Sequence, residues 1–253
     1  MVYDLQKAGL WKRIAAWMFD AILTGILAVG FGLLLSMLLG YDSHSQAVEA
    51  AYAKYEQEYG VVFDISQEEY QSMTDDEIRN YDAAYEALIS DEAAMHSYRM
   101  TVSLSMVITS IGILAAVVLW EFAIPIWLGN GQTLGKKIFG LGLVRNDGVK
   151  LNTMQLFTRS ILGKYTVETM VPVFIFMMLF GGIVGLPGTL CLLVLAAAQV
   201  LCLILNRNNC AIHDLLAGTV VVDITSQMIF RTTEDLIAYK KKIAAEQAAR
   251  QSY

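Results

Sequence analysis

The sequence has little of what a soluble enzyme usually carries. Of its 253 residues only 17% are charged and 56% are hydrophobic, which is too apolar for an ordinary soluble domain of this length. It has three histidines and three cysteines, and no Ser/His/Asp, Cys/His or zinc-protease arrangement can be assembled from them. We therefore expect no catalysis and no cofactor. The cysteines lack metal spacing and are expected to be structural.

What the sequence does have is four long apolar runs, each near the roughly 20 residues that a helix needs to cross a bilayer. They are Ile14–Leu39, Thr101–Leu128, Tyr165–Val184 and Leu186–Leu205. We interpret them as four transmembrane helices, with a re-entrant hairpin as the alternative for the last two. The first run follows a basic start, but it is too long for the apolar part of a signal peptide and lacks a convincing cleavage site. It is interpreted as an uncleaved anchor.

The basic residues predict the orientation of these helices. Three of the 18 lysines and arginines fall between the first and second runs, and the other 15 fall before the first, between the second and third, or after the fourth. Because cytoplasmic loops carry an excess of Lys and Arg, both termini and the loop 129–164 are expected in the cytoplasm. The segment 42–99 is then outside.

These observations predict an all-α membrane protein with four transmembrane helices, an acidic helical extracytoplasmic insert and a small cytoplasmic hairpin loop. The expected regions are the N-terminus with helix 1 (1–40), the acidic insert (41–100), helix 2 (101–128), the basic cytoplasmic loop (129–164), helices 3 and 4 (165–205), and a cytoplasmic interfacial segment with a tail helix (206–253).

The insert is strongly acidic. Residues 42–99 contain 14 of the 24 acidic residues against three basic ones, so their net charge is −11 while the rest of the chain carries +5. Aromatic residues and alanines at helical spacing argue against disorder. Ser66 with Glu69, and Thr74 with Glu77, have the form of capping boxes, so we predict helices that break near Gly60 and near Thr74.

The acids of the insert have two interpretations: a solvated face, or a vestibule that attracts cations. Four further residues near the two ends of the insert are of metal-ligand type, although their spacing determines no geometry. They are Asp42, His44, Glu92 and His96.

The run from Gly129 to Lys137 is comparable to a phosphate-binding loop but does not match one. Residue 130 is Asn where that motif needs Gly, and Lys137 follows Lys136 where the motif needs Ser or Thr. We predict instead a short interfacial helix capped by Thr133, with both lysines at anionic lipid headgroups.

Beyond this helix the loop has a hairpin pattern. Leu141–Val144 and Val149–Leu151 flank Asn146–Gly148, a sequence typical of a tight β-turn. Asn152 or Thr153 is then expected to cap a helix that carries Arg159 toward helix 3.

Polar residues recur at one depth in the apolar runs. Asp20 in the first run would cost roughly 2.5–3.5 kcal/mol at the bilayer centre on insertion scales. Arg13 shares its helix face but leans away from it, so each is expected to find a partner on another helix. The other runs place Glu121, Glu168 and Gln199 at a similar depth. Together with Asp20 they form either a packing network or a site for a cation or proton.

Several motifs together resemble the RDD family of prokaryotic membrane proteins. These are Arg13-x-x-Ala16-x-x-x-Asp20, Gly131-Gln132-Thr133-Leu134-Gly135-Lys136 before Gly140-Leu141, Arg159, and His213-Asp214-x-x-Ala217-Gly218-Thr219. The family is named for one arginine and two aspartates, which match Arg13, Asp20 and Asp214. The resemblance covers helix 1 and residues 101–223, and it implies a membrane fold, with ion transport suggested for some members.

The groups Arg13, Arg159, His213 and Asp214 all fall at the predicted cytoplasmic interface. We predict that Asp214 forms an ion pair there with Arg13 or, as a second choice, with Arg159.

We expect the chain to transport a small cation or proton, or to modulate such transport, in a prokaryotic plasma membrane. The alternative is a non-catalytic scaffold or sensor whose acidic outer segment binds a partner. Four helices make a thin pathway, so we expect a homo-oligomer or a partner membrane protein within the lipid bilayer, and no nucleic acid. The tail from Thr232, with Asp235 as its capping partner, is expected to be a helix on the membrane or on a partner.

Overall fold

The computed structural model describes residues 4–206 and 208–251. Arg207, one of the basic residues that predicted the orientation, lies outside the described residues. The chain divides into two compact units. We call Met1–Ala28 with Ile113–Tyr253 the sheet unit, and Val29–Gly112 the acidic unit.

The elements follow one another as a largely helical chain. In order they are α1 (Leu10–Leu39), α2 (Tyr41–Tyr59), α3 (Gln67–Ser72), α4 (Asp75–Ser90), α5 (Glu92–Val117), the π-helical segment π1 (Val118–Ala123), α6 (Ile124–Leu128), α7 (Leu134–Ile138), β1 (Leu141–Arg145), α8 (Thr153–Phe157), the π-helical segment π2 (Thr158–Met170), α9 (Val171–Phe180), α10 (Gly185–Leu205), α11 (Ile212–Ala217), β2 (Thr219–Asp223) and α12 (Thr233–Gln251).

Among the described residues, four helices are long and apolar enough to cross a membrane. They are Leu10–Leu39, Glu92–Leu128, Thr153–Leu179 and Gly185–Leu205. Large apolar side chains such as Ile22 and Ile204 stay exposed on them, a surface suited to lipid and costly in water. The predicted all-α membrane fold with four spanning helices is confirmed.

Two of the spanning helices begin earlier than their apolar runs. The second begins at Glu92 and the third at Thr153, rather than at Thr101 and Tyr165. The third helix includes Arg159 and Lys164. Because these residues lower the hydropathy of its first turns, the apolar run in the sequence starts later than the helix does. Both side chains are mostly buried, at 2% and 16% exposed, so they belong to the packed side of the helix.

The acidic unit has the predicted helix breaks. Gly60, with φ of 66°, ends α2 in the left-handed conformation that glycine adopts without strain. Both predicted capping boxes are present, at Ser66 for α3 and Thr74 for α4. The core of this unit is small and centres on Tyr55, Leu88 and Ala94.

The sheet unit contains a two-stranded antiparallel sheet. β1 pairs with β2 so that Leu143 lies opposite Val221. The predicted pairing of Leu141–Val144 with Val149–Leu151 is present only as one antiparallel bridge, between Val144 and Lys150. The predicted turn also forms, since Gly148 donates to the carbonyl of Arg145 at 2.9 Å, but the main partner of β1 is β2. The second predicted strand is short and runs into the cap of α8, whereas β2 offers three consecutive valines for burial.

The two faces of this sheet enter different cores. Leu141, Leu143 and Val221 pack with Ala16 of α1 and Leu156 of α8. On the opposite face Val144, Val220 and Val222 pack with Cys210. Because strand side chains alternate and both faces are covered, the sheet ties α1, α8 and the segment before α11 together.

The tail helix α12 is anchored on its own chain. Leu236 is buried with Val149 and Phe230, and Tyr239 packs against them. The predicted cap is present, since the hydroxyl of Thr232 accepts from the N–H of Asp235 at 3.1 Å. Leu236 and Tyr239 are used internally, whereas Ile237 is 48% exposed, and the attachment of the tail to a membrane or a partner stays a prediction.

Candidate functional site

The carboxylate of Asp20 is buried in the sheet unit. Its Oδ1 accepts hydrogen bonds from Trp120 Nε1 at 3.0 Å and from the backbone N–H of Gly135 at 2.9 Å. Its Oδ2 accepts from the hydroxyl of Thr133, which also caps α7. Because amide groups at a helix start attract negative charge, Asp20 holds the first turn of α7 against α1.

Gly135 allows this close approach. A Cβ on this residue would lie 2.5 Å from the carbonyl oxygen of Ala16 and 2.9 Å from the carboxyl carbon of Asp20. Both distances are shorter than van der Waals contact allows, so the position accommodates only glycine without displacement. The segment Gly131–Lys136 therefore packs around an aspartate of the first helix.

Lys136 places its ammonium group between two carboxylates. Its Nζ lies 4.0 Å from Oδ2 of Asp20 and 3.6 Å from Oε2 of Glu121, and it donates to Thr133 Oγ1 at 3.1 Å. The prediction that Lys136 meets lipid headgroups is wrong, because docking of α7 on Asp20 turns this side chain inward. The next residue, Lys137, is exposed.

Glu121, in π1, contacts cations from two elements. Its Oε1 accepts from Lys164 Nζ. Its Oε2 faces Lys136 Nζ and lies 3.9 Å from Arg159 Nη1. Three cations thus surround a single carboxylate that is only 6% exposed.

A proline contributes to the packing around Glu121. Pro125, four residues later, has no N–H to donate to the carbonyl of Glu121. That carbonyl accepts a 2.6 Å hydrogen bond from the hydroxyl of Ser160 in π2. This hydrogen bond joins the second and third spanning helices at the depth of the buried charges.

Asp214 is fully buried and lies between two arginines. Its Oδ1 accepts from Arg159 Nε at 2.9 Å and from Thr219 Oγ1 at 3.2 Å. Its Oδ2 lies 3.3 Å from Arg13 Nη2 and accepts from the N–H of Ala211 at 3.3 Å. The structure therefore brings Asp214 to both predicted partners, and the second choice, Arg159, is the nearer one.

His213 connects Arg159 to Glu168. Its Nδ1 lies 2.7 Å from Glu168 Oε2, and its Nε2 lies 2.9 Å from Arg159 Nη2. Since arginine can only donate, Nε2 must accept and Nδ1 must carry the proton. Gln199 completes this group, because its amide donates to Glu168 at 3.3 Å and accepts from the N–H of Ile212 at 3.2 Å.

Gly163 permits the contact between π2 and α11. A Cβ there would lie 2.5 Å from His213 Cβ and 2.8 Å from its Cα. The absence of a side chain at this position lets the two elements touch backbone to backbone, which positions His213 and Asp214 beside Arg159.

Burial changes the protonation of the groups outside the spanning helices. Desolvation lowers the pKa of Lys136 to about 8, although the charge of Glu121 opposes it. Desolvation also lowers the pKa of His213, more than Asp214 and Glu168 raise it. For Asp214 burial raises the pKa, but its neighbours Arg159, His213 and Arg13 together outweigh burial and hold the pKa well below its usual range.

The buried ionisable side chains described above form one group, which we call the buried charge cluster. It contains four carboxylates (Asp20, Glu121, Glu168, Asp214), four cations (Arg13, Lys136, Arg159, Lys164) and the neutral His213, so its charges balance. A buried charge is tolerated when it is paired and hydrogen-bonded. The side chains of the cluster thus supply each carboxylate with a partner.

The predicted site of Asp20, Glu121, Gln199 and Glu168 is divided in the structure. Asp20 and Glu121 meet at Lys136, whereas Glu168 and Gln199 meet at His213, and Arg159 lies between the two groups. Among the described residues, two buried side-chain atoms lack a hydrogen-bond partner, Glu121 Oε2 and Arg159 Nη1. They face each other across 3.9 Å.

Sequence reasoning missed several members of the cluster. Thr133 was assigned to a helix cap, Lys136 to lipid headgroups and Gly135 to a family motif only. Trp120 and Lys164 were given no role in a site, because hydropathy does not reveal which residues face a loop that folds back onto a span. Two features of the sequence could have found them: the adjacent Gly135 and Lys136 just after the capping Thr133, and the run of three valines, Val220–Val222, that returns the chain to β1.

The histidines of the acidic unit come together without forming a metal site. The rings of His44 and His96 meet edge to face with centroids 6.2 Å apart. Within residues 4–206 and 208–251, no group of three His, Cys, Asp or Glu side chains could hold a metal ion.

Comparison with models of protein families identifies the family of this chain. The model of the RDD family matches residues 7–218, most of the chain and every motif residue named above from Arg13 to Gly218. Neither the curated proteins nor the solved structures provide a match.

Proposed function

We propose that this chain, which belongs to the RDD family, transports a small cation in exchange for a proton, or modulates such transport, without catalysing a chemical reaction. The observation that supports the proposal is the ammonium of Lys136 between the carboxylates of Asp20 and Glu121, at 4.0 and 3.6 Å. Ionisable groups inside membrane helices commonly mark ion pathways. A tethered ammonium occupies the place that a free monovalent cation would take.

The exchange balances in charge. When Lys136 releases its proton, the ammonium becomes an amine and the pair of carboxylates loses one compensating charge. One monovalent cation bound between Asp20 and Glu121 restores it, and reprotonation of Lys136 expels that cation. The pKa of Lys136, lowered to about 8 by burial, makes proton release possible at slightly alkaline pH.

The alternative function is a non-catalytic scaffold or sensor. It is favoured by the balance of the buried charge cluster, in which Asp20, Glu121 and Asp214 already have cations and Glu168 bonds to His213, an arrangement that suits fixed helix packing. It is also favoured by the acidic unit, which has its own small core and 11 excess negative charges for a partner.

We place the protein in the plasma membrane of a prokaryote with both termini in the cytoplasm, and expect a homo-oligomer or a partner membrane protein to complete the pathway. The distribution of basic residues supports this orientation. Cysteines introduced at positions 70 and 147, in a variant without native cysteines, should react from opposite sides of intact cells. Reaction of both from the same side would exclude this topology.

The decisive experiment compares Lys136 with its exposed neighbour Lys137. Purified protein in proteoliposomes should give cation-dependent proton flux with a midpoint near pH 8. Lys136→Arg keeps a charge that does not titrate, so it should abolish the exchange, whereas Lys137→Arg should not. If the wild-type protein is folded and shows no such flux, the scaffold function is favoured.

A further inference from the structure

A cavity within the acidic unit differs in character from the surface around it. It has a volume of about 150 Å³ and lies among α2, α4 and α5. Apolar residues such as Leu88 and Met95 form part of its wall, and three tyrosines, Tyr52, Tyr85 and Tyr98, line it as well. None of its lining residues is charged, although the unit as a whole is the most acidic part of the chain.

The three tyrosines are accessible from solvent. Tyr52, Tyr85 and Tyr98 are 38%, 50% and 47% exposed. The pKa of Tyr52 is raised, first by desolvation and then by the phenols of Tyr98 and Tyr85, so the three phenols are near neighbours. Three aromatic groups from three helices therefore surround one opening.

Negative charge lies on the same three helices as this opening. Glu49 follows the lining residue Val48, Glu86 follows Tyr85, and Glu92 stands two residues before Ala94, another lining residue. The three glutamates are exposed. Their potential attracts cations toward the cavity, while the cavity itself offers aromatic and apolar contacts.

We propose that this cavity binds a small organic cation from solution, an ammonium that carries methyl or other short apolar groups. The faces of tyrosine rings attract such cations, and the apolar wall accepts their alkyl groups. The same unit already contains one contact of this kind, with Lys54 Nζ 4.4 Å from the centroid of the Tyr55 ring.

The size and polarity of the cavity determine the class of ligand. A trimethylammonium group fits about 150 Å³, whereas a drug-sized ligand needs roughly 300 Å³ or more. Inorganic cations such as Ca²⁺ need several oxygen ligands, which uncharged side chains of this composition do not supply. The proposal does not depend on cation exchange at Lys136, which involves other residues and a different kind of cation.

The first test measures binding to the full-length protein in dodecyl maltoside micelles, in which no headgroup carries an ammonium. Isothermal titration with tetramethylammonium should give a dissociation constant on the order of 0.1–1 mM, as expected for so small a ligand. tert-Butyl alcohol, which has a similar methylated shape without the charge, should bind at least about fivefold more weakly. Equal affinity for the two compounds would overturn the proposal.

The second test locates the site. Tyr85→Leu keeps an apolar side chain but removes the aromatic face, and should weaken binding about fivefold or more. Tyr70→Leu, the same change outside the cavity, should leave the dissociation constant within about twofold. If Tyr85→Leu does not fold, Tyr85→Trp replaces it and should preserve or tighten binding. Unchanged affinity in Tyr85→Leu, or complete loss in Tyr85→Trp, would refute the site.

The third test separates local charge from diffuse charge. The triple variant Glu49→Gln, Glu86→Gln, Glu92→Gln should weaken binding more than the matched variant Asp64→Asn, Glu68→Gln, Asp75→Asn, which removes the same charge elsewhere in the unit. Equal weakening in both would mean that the cation is attracted by the whole unit without a defined site, contrary to the proposal.

Discussion

The two units of this protein use carboxylates in opposite ways. In the sheet unit Asp20, Glu121 and Asp214 are almost fully buried, and cations lie against each of them. In the acidic unit most carboxylates are exposed, and those with a structural role, such as Glu69 and Glu77, bond to backbone amides at helix starts.

Solvent is the cause of this difference. An exposed carboxylate is already stabilised by water, so a nearby partner adds little to the free energy of folding. A buried one loses that hydration and is costly unless a cation replaces it. The same residue type therefore has a local role in the acidic unit and links distant segments of the chain in the sheet unit.

The largest expected effect comes from removing one member of a buried pair. Asp214→Asn keeps the shape of the side chain but leaves Arg13 without a negative partner and Arg159 with only Glu121, at 3.9 Å, so the free energy of unfolding should fall by about 3–5 kcal/mol. Glu58→Gln, at an exposed position of the acidic unit, should change it by less than about 0.5 kcal/mol. Unfolding by SDS in mixed micelles measures both, and similar effects would invalidate the comparison between the units.

A smaller loss in the free energy of unfolding is expected from a substitution where α7 contacts α1. In Gly135→Ala the added methyl would collide with the carbonyl oxygen of Ala16 and with Asp20, so overpacking should cost about 1–3 kcal/mol. Gly30→Ala is the control, because a Cβ there meets nothing within 4 Å. The same unfolding experiment should show no loss for that variant, and a loss equal to that of Gly135→Ala would refute the close-contact explanation.

Removing a helix cap in the acidic unit should lower the stability by a smaller amount, and only near that helix. Thr74→Ala removes the hydroxyl that accepts from the N–H of Glu77, which should cost about 1 kcal/mol. Ser90→Ala, at the other end of α4, should have no measurable effect. Hydrogen exchange of the α4 amides reports the loss, and reduced protection at the buried charge cluster in Thr74→Ala would argue against a local role.

The smallest expected effect is the change in folding stability with pH. Because burial lowers the pKa of His213 in the folded protein, the unfolded chain binds more protons near and below the ordinary histidine pKa of 6.5. Stability should therefore fall as the pH drops from 7.5 to 5.5. His213→Gln should reduce this dependence, as measured by the melting temperature at each pH. A steeper acid loss in His213→Gln would contradict the neutral assignment.

Features that depend on neighbouring residues could be read from the sequence. The four spans follow from the length of apolar runs, and the caps at Ser66, Thr74, Thr133 and Thr232 from residues three or four positions apart. In each case the interacting groups are close along the chain, so the residue types alone predict the structure.

Features that depend on distant residues were predicted only in part. Depth in the apolar runs indicated that Asp20 and Glu121 would have partners on other elements, and motif residues indicated Arg159 and Asp214. The partners of Asp214 were named correctly, but those of Asp20 were not accessible, since Thr133, which bonds to Asp20, is 113 positions away in the sequence. Nor does hydropathy distinguish the buried Lys136 from the exposed Lys137 beside it.

By itself the sequence determined that this chain spans a membrane with four helices and carries an acidic helical segment, because apolar length and local capping require no knowledge of distant contacts. The tertiary structure decided that β1 pairs with β2, which returns His213 and Asp214 to Arg13 and Arg159. It also decided that α7 docks on Asp20 and carries Lys136 between two carboxylates. The physical reason is that a buried charge must find its counter-charge in space, and the position of that counter-charge depends on how the whole sheet unit packs.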